Sequence, residues 1–187
     1  MIVELGYGTT GLTVGQRVFG LTDWRRNGSI AECAAVEARN LAPLPADVDH
    51  IAAAALPMPG LTAWQALFDH AHLQAGQTVL IRGAGGSVGS VAVQLAREAG
   101  AHIIGTGQAS DRDLAGTLGV HEFIDLDGDR LEDAGEVDVV FDVIGGEIRD
   151  RSTALFRPGG ALVTVADPPT IQTRDGRAIL FVVEPNR

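Results

Sequence analysis

The sequence contains no lysine: all 14 of its basic residues are arginine. That excludes Schiff-base chemistry on a lysine amine and the phosphate-gripping lysine of a P-loop. Cysteine is nearly absent too. Cys33 stands alone, which excludes an internal disulfide and any cysteine-rich zinc or iron–sulfur site, and it reads as a small buried residue. Tyr7 is the only tyrosine, so aromatic proton donors are scarce. Positive charge is outweighed by 24 acidic residues, for a formal net charge of −10. A surface that acidic repels phosphate backbones and anionic lipid, and Arg25-Arg26 is only a pair, so neither nucleic acid nor membrane is an expected partner. No apolar run approaches the roughly 18–20 residues that a membrane span needs. The start, Met1 to Gly6, lacks the basic-then-apolar pattern of a secretory signal, and the expected compartment is the cytoplasm.

What is present is glycine and alternation. Residues 1–40 carry short apolar stretches cut by Gly6, Gly8, Gly11, Gly15, Gly20 and Gly28, a pattern of small β structure and turns. Strands are predicted over Leu12 to Phe19 and Ser29 to Val36. Asp47 is a candidate cap for an alanine-rich helix over Val48 to Leu56, which Pro57 and Pro59 are expected to end. Beyond Gly60 the texture changes to alternating strands and helices. Leu61, Trp64, Leu67, Phe68 and Ala71 recur at helical spacing. Thr78 to Arg82 reads as a buried strand, and Val88, Val91, Ala92, Leu95, Ala96 and Ala99 mark one face of a helix that Gly100 ends. A short strand over His102 to Ile104, a helix over Asp111 to Leu118 and a strand over Glu122 to Ile124 come next. Asp125 to Glu136 reads as a solvated loop. Further strands are expected over Val137 to Asp142, Ala161 to Val165 and Ala178 to Val183, with a helix over Glu147 to Phe156. This is an α/β pattern: a Rossmann-type parallel sheet with helices on both faces.

The segment Val79 to Gly89 carries the chemistry. A strand, a tight turn with Gly83, Gly86 and Gly89, and a helix start follow one another, so a pyrophosphate can approach the backbone and meet the free N–H groups at the helix N-terminus. The same residues spell G-x-S-x-G around Ser87, which is also the pattern of an α/β-hydrolase nucleophile elbow. That reading requires an acid and then a histidine after the serine. Only His102 and His121 follow Ser87, both ahead of Asp142, so the triad order fails, and hydrolase is the minor alternative. The end of the second strand distinguishes NAD from NADP. The run Gly105-Thr106-Gly107-Gln108-Ala109-Ser110 lacks the carboxylate that holds a ribose 2′-hydroxyl, while Ser110 and Arg112 are potential donors to a 2′-phosphate. Against this, Asp111 and Asp113 stand close by, and pairing of Arg112 with one of them on a helix surface is the alternative. The expected cofactor is therefore NADP(H).

Several stretches carry a family resemblance. They are Val14 to Gly20, Ala53 to Pro57 with Gly60 to Trp64, the glycine turn, Phe141 to Gly146, Arg157 to Gly160, and Phe181 to Pro185. Together they resemble the zinc-independent, quinone oxidoreductase-like branch of the medium-chain dehydrogenase/reductase superfamily. The resemblance implies a partial GroES-like β-barrel segment over 1–58 that carries the substrate, ahead of a Rossmann NADP(H)-binding domain over 59–187. It implies NADPH in the cleft between them, no metal, and hydride transfer to a quinone or an activated alkene. It also assigns Gly86, Ser87 and Val88 to the pyrophosphate and Thr62 to the nicotinamide region. Val143 would border the adenosine or ribose, and the backbone of Phe181 and Val182 would lie near the carboxamide. The cofactor set is completed by Gly83, Gly89, Thr106, Gln108, Ser110 and Arg112.

Against that family the chain starts part-way through the barrel and stops before its final helix and strand. It is therefore expected to be a shortened member, and a catalytically reduced nucleotide-binding or non-redox module is the alternative function. Leu126 stands where many relatives have a tyrosine, Gln108 where serine is common, and Ile30 and Cys33 replace aromatic residues. No catalytic residue is assigned; His70 and His72 lie two apart, on different faces of a helix. A small carbonyl, quinone or enone is the expected substrate, and a homodimer through the last Rossmann strand the expected assembly.

Overall fold

The computed structural model describes residues 1–23, 25, 30–169 and 176–185. The chain divides into two compact units. One holds Met1–Leu61 with Glu184 and Pro185; the other is Thr62–Val183.

In the first unit the strand predicted over Leu12 to Phe19 is reduced to its end. Gly15 takes φ +86°, and the Gln16 amide donates to the Thr13 carbonyl at 3.1 Å, so a turn occupies the middle of the expected strand. Only β1, Val18–Gly20, is extended, and it pairs antiparallel with β2, Leu41–Pro43. Ser29 lies outside the described residues. No strand forms over 30–36, where 30–35 are exposed and have no face to bury. The helix cap is Asp49 rather than Asp47: its carboxylate accepts from the amides of Ile51 at 2.7 Å and Ala52 at 2.9 Å, and these two bonds hold its pKa below the ordinary aspartate value. Helix α1 is His50–Ala55. The alanine-rich helix ends at Ala55, just ahead of Pro57 as expected, and the prolines also open the next helix, α2, which runs Pro57–Trp64. Pro57 and Pro59 fall in its first turn, where an amide has no partner within the helix to lose.

Helix α2 continues into the second unit and passes into a π-helical turn, Gln65–His70, in which the Ala71 amide reaches back five residues to the Ala66 carbonyl at 2.9 Å. The strand–helix alternation then follows as the sequence predicts: β3 Thr78–Arg82, α3 Ser87–Glu98, β4 His102–Gly107, α4 Arg112–Leu118, β5 Glu122–Asp125, β6 Val137–Asp142, α5 Glu147–Ser152, β7 Phe156–Thr164 and β8 Arg177–Leu180. The helix predicted to reach Phe156 gives way at Thr153–Leu155 to a 3-10 turn, and the expected loop after Asp125 holds another, Leu131–Ala134. β7 starts earlier than predicted, because Pro158 to Gly160 form a bulge inside it: Val137 pairs with Phe156, yet Val139 pairs with Ala161. β8 stops at Leu180, leaving Phe181, Val182 and Val183 past its end.

All five pairings of the six-stranded sheet are parallel, in the order β5-β4-β3-β6-β7-β8. This is the Rossmann order, with its reversal between β3 and β6. Successive strand residues point to opposite faces. Val79, Ile81, Ile103, Phe141 and Val163 join Ala92, Val93 and Ala96 of α3 and Ala115 of α4 in one core. Leu80, Ile104, Val140 and Leu162 join Leu131 and Leu155 in the other. Helices thus cover both faces, and the middles of β3, β4, β6 and β7 are apolar because both of their sides are dry.

Candidate functional site

In open parallel sheets, ligands bind beyond the carboxyl ends of the strands where the order reverses. The glycine turn between β3 and α3 lies at that point. The amides of Gly83 and Ala84 both donate to the Thr106 carbonyl at 2.9 Å, and the Gly86 amide closes back onto the Gly83 carbonyl at 3.0 Å. Gly83 takes φ +77°, a region that side chains rarely adopt. A Cβ on Gly89 would lie 2.0 Å from the Gly83 carbonyl oxygen, so the first turn of α3 packs directly on the backbone of the loop. Gly86 is the helix cap and has no side chain to satisfy the amides that follow it. The exposed N-terminus of a twelve-residue helix therefore presents free N–H groups and the positive end of its dipole. This is a backbone cradle that a side chain would fill, and it fits a pyrophosphate.

Beneath the cradle runs a row of polar side chains, of which the sequence reading singled out only Thr106. Thr106, Arg82, Asp142 and Thr164 are register partners across β4, β3, β6 and β7, and none is more than 2% exposed. Arg82 Nη1 forms a short ion pair with Asp142 and also donates to the Gly145 carbonyl at 3.0 Å. The Asp142 carboxylate accepts further from the amides of Ile144 at 3.3 Å and Gly145 at 3.1 Å, and from the Thr164 hydroxyl at 2.8 Å. Burial pushes the Arg82 pKa down, against the opposing pull of Asp142. Arg82 Nε and Thr106 Oγ1 are buried without a hydrogen-bond partner. A second buried guanidinium, Arg149, bonds to Asp150 at 2.7 Å and to Asp167 at 2.8 Å. Burial opposes its charge, but these carboxylates outweigh burial and raise its pKa. The two arginines thus fix the loops that follow β6 and β7. A charge closing each of two buried strands, Arg82 after Thr-Val-Leu-Ile and Asp142 after Val-Asp-Val-Val-Phe, is the signal that was there to be read.

Other expected site residues are placed as follows. Val143 stands beside the turn: a Cβ on Gly83 would meet its Cγ2 at 3.1 Å. Thr106 is fully buried, and its carbonyl accepts from the amides of Gly83 and Ala84 in the turn. Ser87, Gln108 and Ser110 are exposed, and Val88 is half-buried. Thr62 is buried in α2. Phe181 is buried, donates its amide to the Thr164 carbonyl at 3.2 Å and packs its ring 4.6 Å from that of His70, whereas Val182 is exposed. Arg112 does not pair with Asp111 or Asp113. Its guanidinium donates to the Phe123 carbonyl at 3.1 Å and to Asp129 at 3.4 Å, and lies 5.1 Å from the Phe123 ring centroid. Leu126 is half-buried against the second core. Of the histidines after Ser87, His102 opens β4 and His121 precedes β5; their rings stack at 4.7 Å. That is the amino edge of the sheet, the end opposite Ser87, so these histidines cannot serve that serine as a base. Cys33 is exposed rather than buried. Among the described residues no three His, Cys, Asp or Glu side chains gather as a metal site, and no helix is long and apolar enough to cross a membrane.

The family model of the zinc-binding dehydrogenases matches residues 87–181, from the first residue of α3 to Phe181. The chain belongs to the zinc-binding dehydrogenase family. It is 40% identical over 169 residues to the spectinabilin polyketide synthase system protein NorB of Streptomyces orinoci, covering 87% of this chain and 8% of that protein. It is 30% identical over 181 residues to a quinone oxidoreductase of Pongo abelii, covering 92% of this chain and 54% of the relative. Among solved structures, the quinone oxidoreductase of Coxiella burnetii superimposes with TM-score 0.89 at 28% identity, over 98% of this chain and 61% of that one. A mycobacterial protein complexed with NADPH superimposes with TM-score 0.82 at 26% identity, over 96% and 61%. This zinc-binding dehydrogenase chain thus spans about half the length of the quinone oxidoreductase it matches and a small part of the polyketide synthase protein.

Proposed function

We propose that the chain binds NADP(H) and takes part in hydride transfer to a quinone or an activated alkene, without a metal. The observation that carries this reading is the backbone cradle at the switch point, where Gly83 and Gly89 leave room for a diphosphate against the start of α3. Support also comes from the related structure complexed with NADPH and from the quinone oxidoreductase relatives. On this reading residues 59–187 form the NADP(H)-binding part and 1–58 the partial substrate segment, and the site is cytoplasmic. Gly86, Ser87 and Val88 hold the diphosphate through backbone amides. Val143 flanks the ribose, Thr62 stands towards the nicotinamide, and Phe181 and Val182 offer backbone to the carboxamide. When bound, the nicotinamide supplies the hydride. The chain's own share is to orient the two reactants and exclude water, and such positioning accounts for much of a hydride transfer of this type.

Within that reading the alkene class is an α,β-unsaturated acyl thioester. The observation favouring it over a quinone is the higher identity to a polyketide synthase protein, 40%, than to a quinone oxidoreductase, 30%. Titration with NADPH followed by cofactor oxidation against a crotonyl thioester and a benzoquinone tests both levels. Binding with turnover of the thioester is expected. Binding without turnover of either acceptor points to the nucleotide-binding module, and no binding overturns the cofactor assignment.

A further inference from the structure

Helix α2 ends unusually, and its ending meets the last strand of the sheet. In the π-helical turn Gln65–His70 the Ala71 amide bonds one residue further back than it would in an α-helix. The extra residue sets whatever follows back by about 100° around the helix axis. Just beyond, His72 takes φ +56°, the one positive φ outside glycine among the described residues, and the Leu73 amide closes on the Leu67 carbonyl at 2.8 Å. Both departures cost conformational energy, and such features persist where the surrounding packing demands them. His70 stands between them, half-buried, with its ring 4.6 Å from that of Phe181 and tilted 46° to it. That is the geometry of a favourable ring pair. Arg177, the first residue of β8, donates to the Ala71 carbonyl at 3.3 Å. The strand is thus fastened to the π turn at its first residue and again just past its last.

We propose that His70 is a positioning residue: its ring holds Phe181 and so fixes the backbone of 181–183, on which the nicotinamide end of the cofactor is aligned. The inference rests on the NADP(H) reading above, in which Phe181 and Val182 offer backbone to the carboxamide, and adds what keeps that backbone in place. β8 pairs with β7 as far as Leu180, and the Phe181 amide makes one more bond, to the Thr164 carbonyl. The chain then leaves the sheet, and Val182 is exposed. Phe181 itself is buried in the core that also holds Leu67, Ala71 and Leu73. The helix whose π turn holds Phe181 is the one that carries Thr62. Both expected neighbours of the nicotinamide are therefore placed by a single element, while the diphosphate cradle belongs to another, the turn ahead of α3.

The test separates the two ends of the cofactor. Dissociation constants of NADPH and of adenosine 2′,5′-bisphosphate, which has no nicotinamide, are measured by calorimetry for the full chain, His70→Ala and His70→Phe. His70→Ala is expected to weaken NADPH binding roughly three- to ten-fold, the range that one aromatic pair is worth, and to leave the bisphosphate unchanged. His70→Phe keeps a ring against Phe181 and restores the parent ratio of the two constants. Thermal melts report whether each variant is folded; if His70→Ala is not, His70→Leu, which fills the space without an aromatic face, takes its place with the same expectation. Constants that shift alike for the two ligands, or not at all, overturn the positioning role, and so does a folded His70→Phe chain that fails to rescue. A parent chain that binds neither ligand overturns the dinucleotide reading itself.

Discussion

At the scale of single residues, the site depends on two positions where substitution has nowhere to go. Gly89→Ala would drive a methyl into the Gly83 carbonyl, which is backbone and cannot swing away. The expected result is loss of NADPH binding in a fluorescence titration, with a stability loss of more than about 2 kcal/mol in a urea melt. Arg82→Met leaves Asp142 buried with its charge uncompensated, which costs about 3–5 kcal/mol. Adding Asp142→Leu removes that charge but strands the amides of Ile144 and Gly145 and the Thr164 hydroxyl, which donate to it. The double variant should therefore recover only part of the loss in the same melts. Full recovery would show that the ion pair does nothing for the loop after β6. The glycines were legible because their spacing follows a strand and precedes an amphipathic helix. Asp111 was legible as an acid close to the end of the second strand, but its approach to Gly85 was not, since that depends on a chain reversal that no local pattern announces.

Among the elements, the second unit follows its sequence closely. Strands dry on both faces are apolar through their middles, and α3 carries a clear apolar stripe ended by Gly100 at φ +76°. The first unit follows it poorly. There the apolar stretches are short and interrupted by turns, such as that at Gly15, so alternation overstates strand length. Proline served twice: α1 stops just ahead of Pro57, and Pro57 also fits the start of the helix that follows. The cap at Asp49 makes α1 sensitive to acid. Its pKa is lowered chiefly by the backbone bonds from Ala52 and Ile51. The stabilisation is therefore complete above the ordinary aspartate pKa and is lost as pH falls through the depressed value. Asp49→Asn, which keeps an acceptor without the titrating charge, should flatten the acid side of the melting-temperature profile. An unchanged slope would remove the cap from the account of acid stability.

For the whole molecule, β8 ends the strand order and leaves one edge of the sheet without a partner among the described residues. Unpaired edges invite association, and we expect a homodimer by light scattering that Leu180→Glu converts to monomer; Leu180 is 42% exposed. A monomeric parent chain would remove β8 as an interface. A ligand that binds only the folded chain also raises stability, by about 2.7 kcal/mol at a hundred times its dissociation constant. NADPH should accordingly raise the melting temperature of the parent chain but not of Gly89→Ala. The strand order has a kinetic consequence as well. β3 pairs on one side with β4, the next strand in the chain, and on the other with β6, where Arg82 meets a residue sixty positions later. The crevice at the reversal point therefore does not exist until that distant strand has docked. During refolding, helix signal from the first βαβ unit should return ahead of any capacity to hold the dinucleotide, making nucleotide fluorescence a clock for the docking of β6.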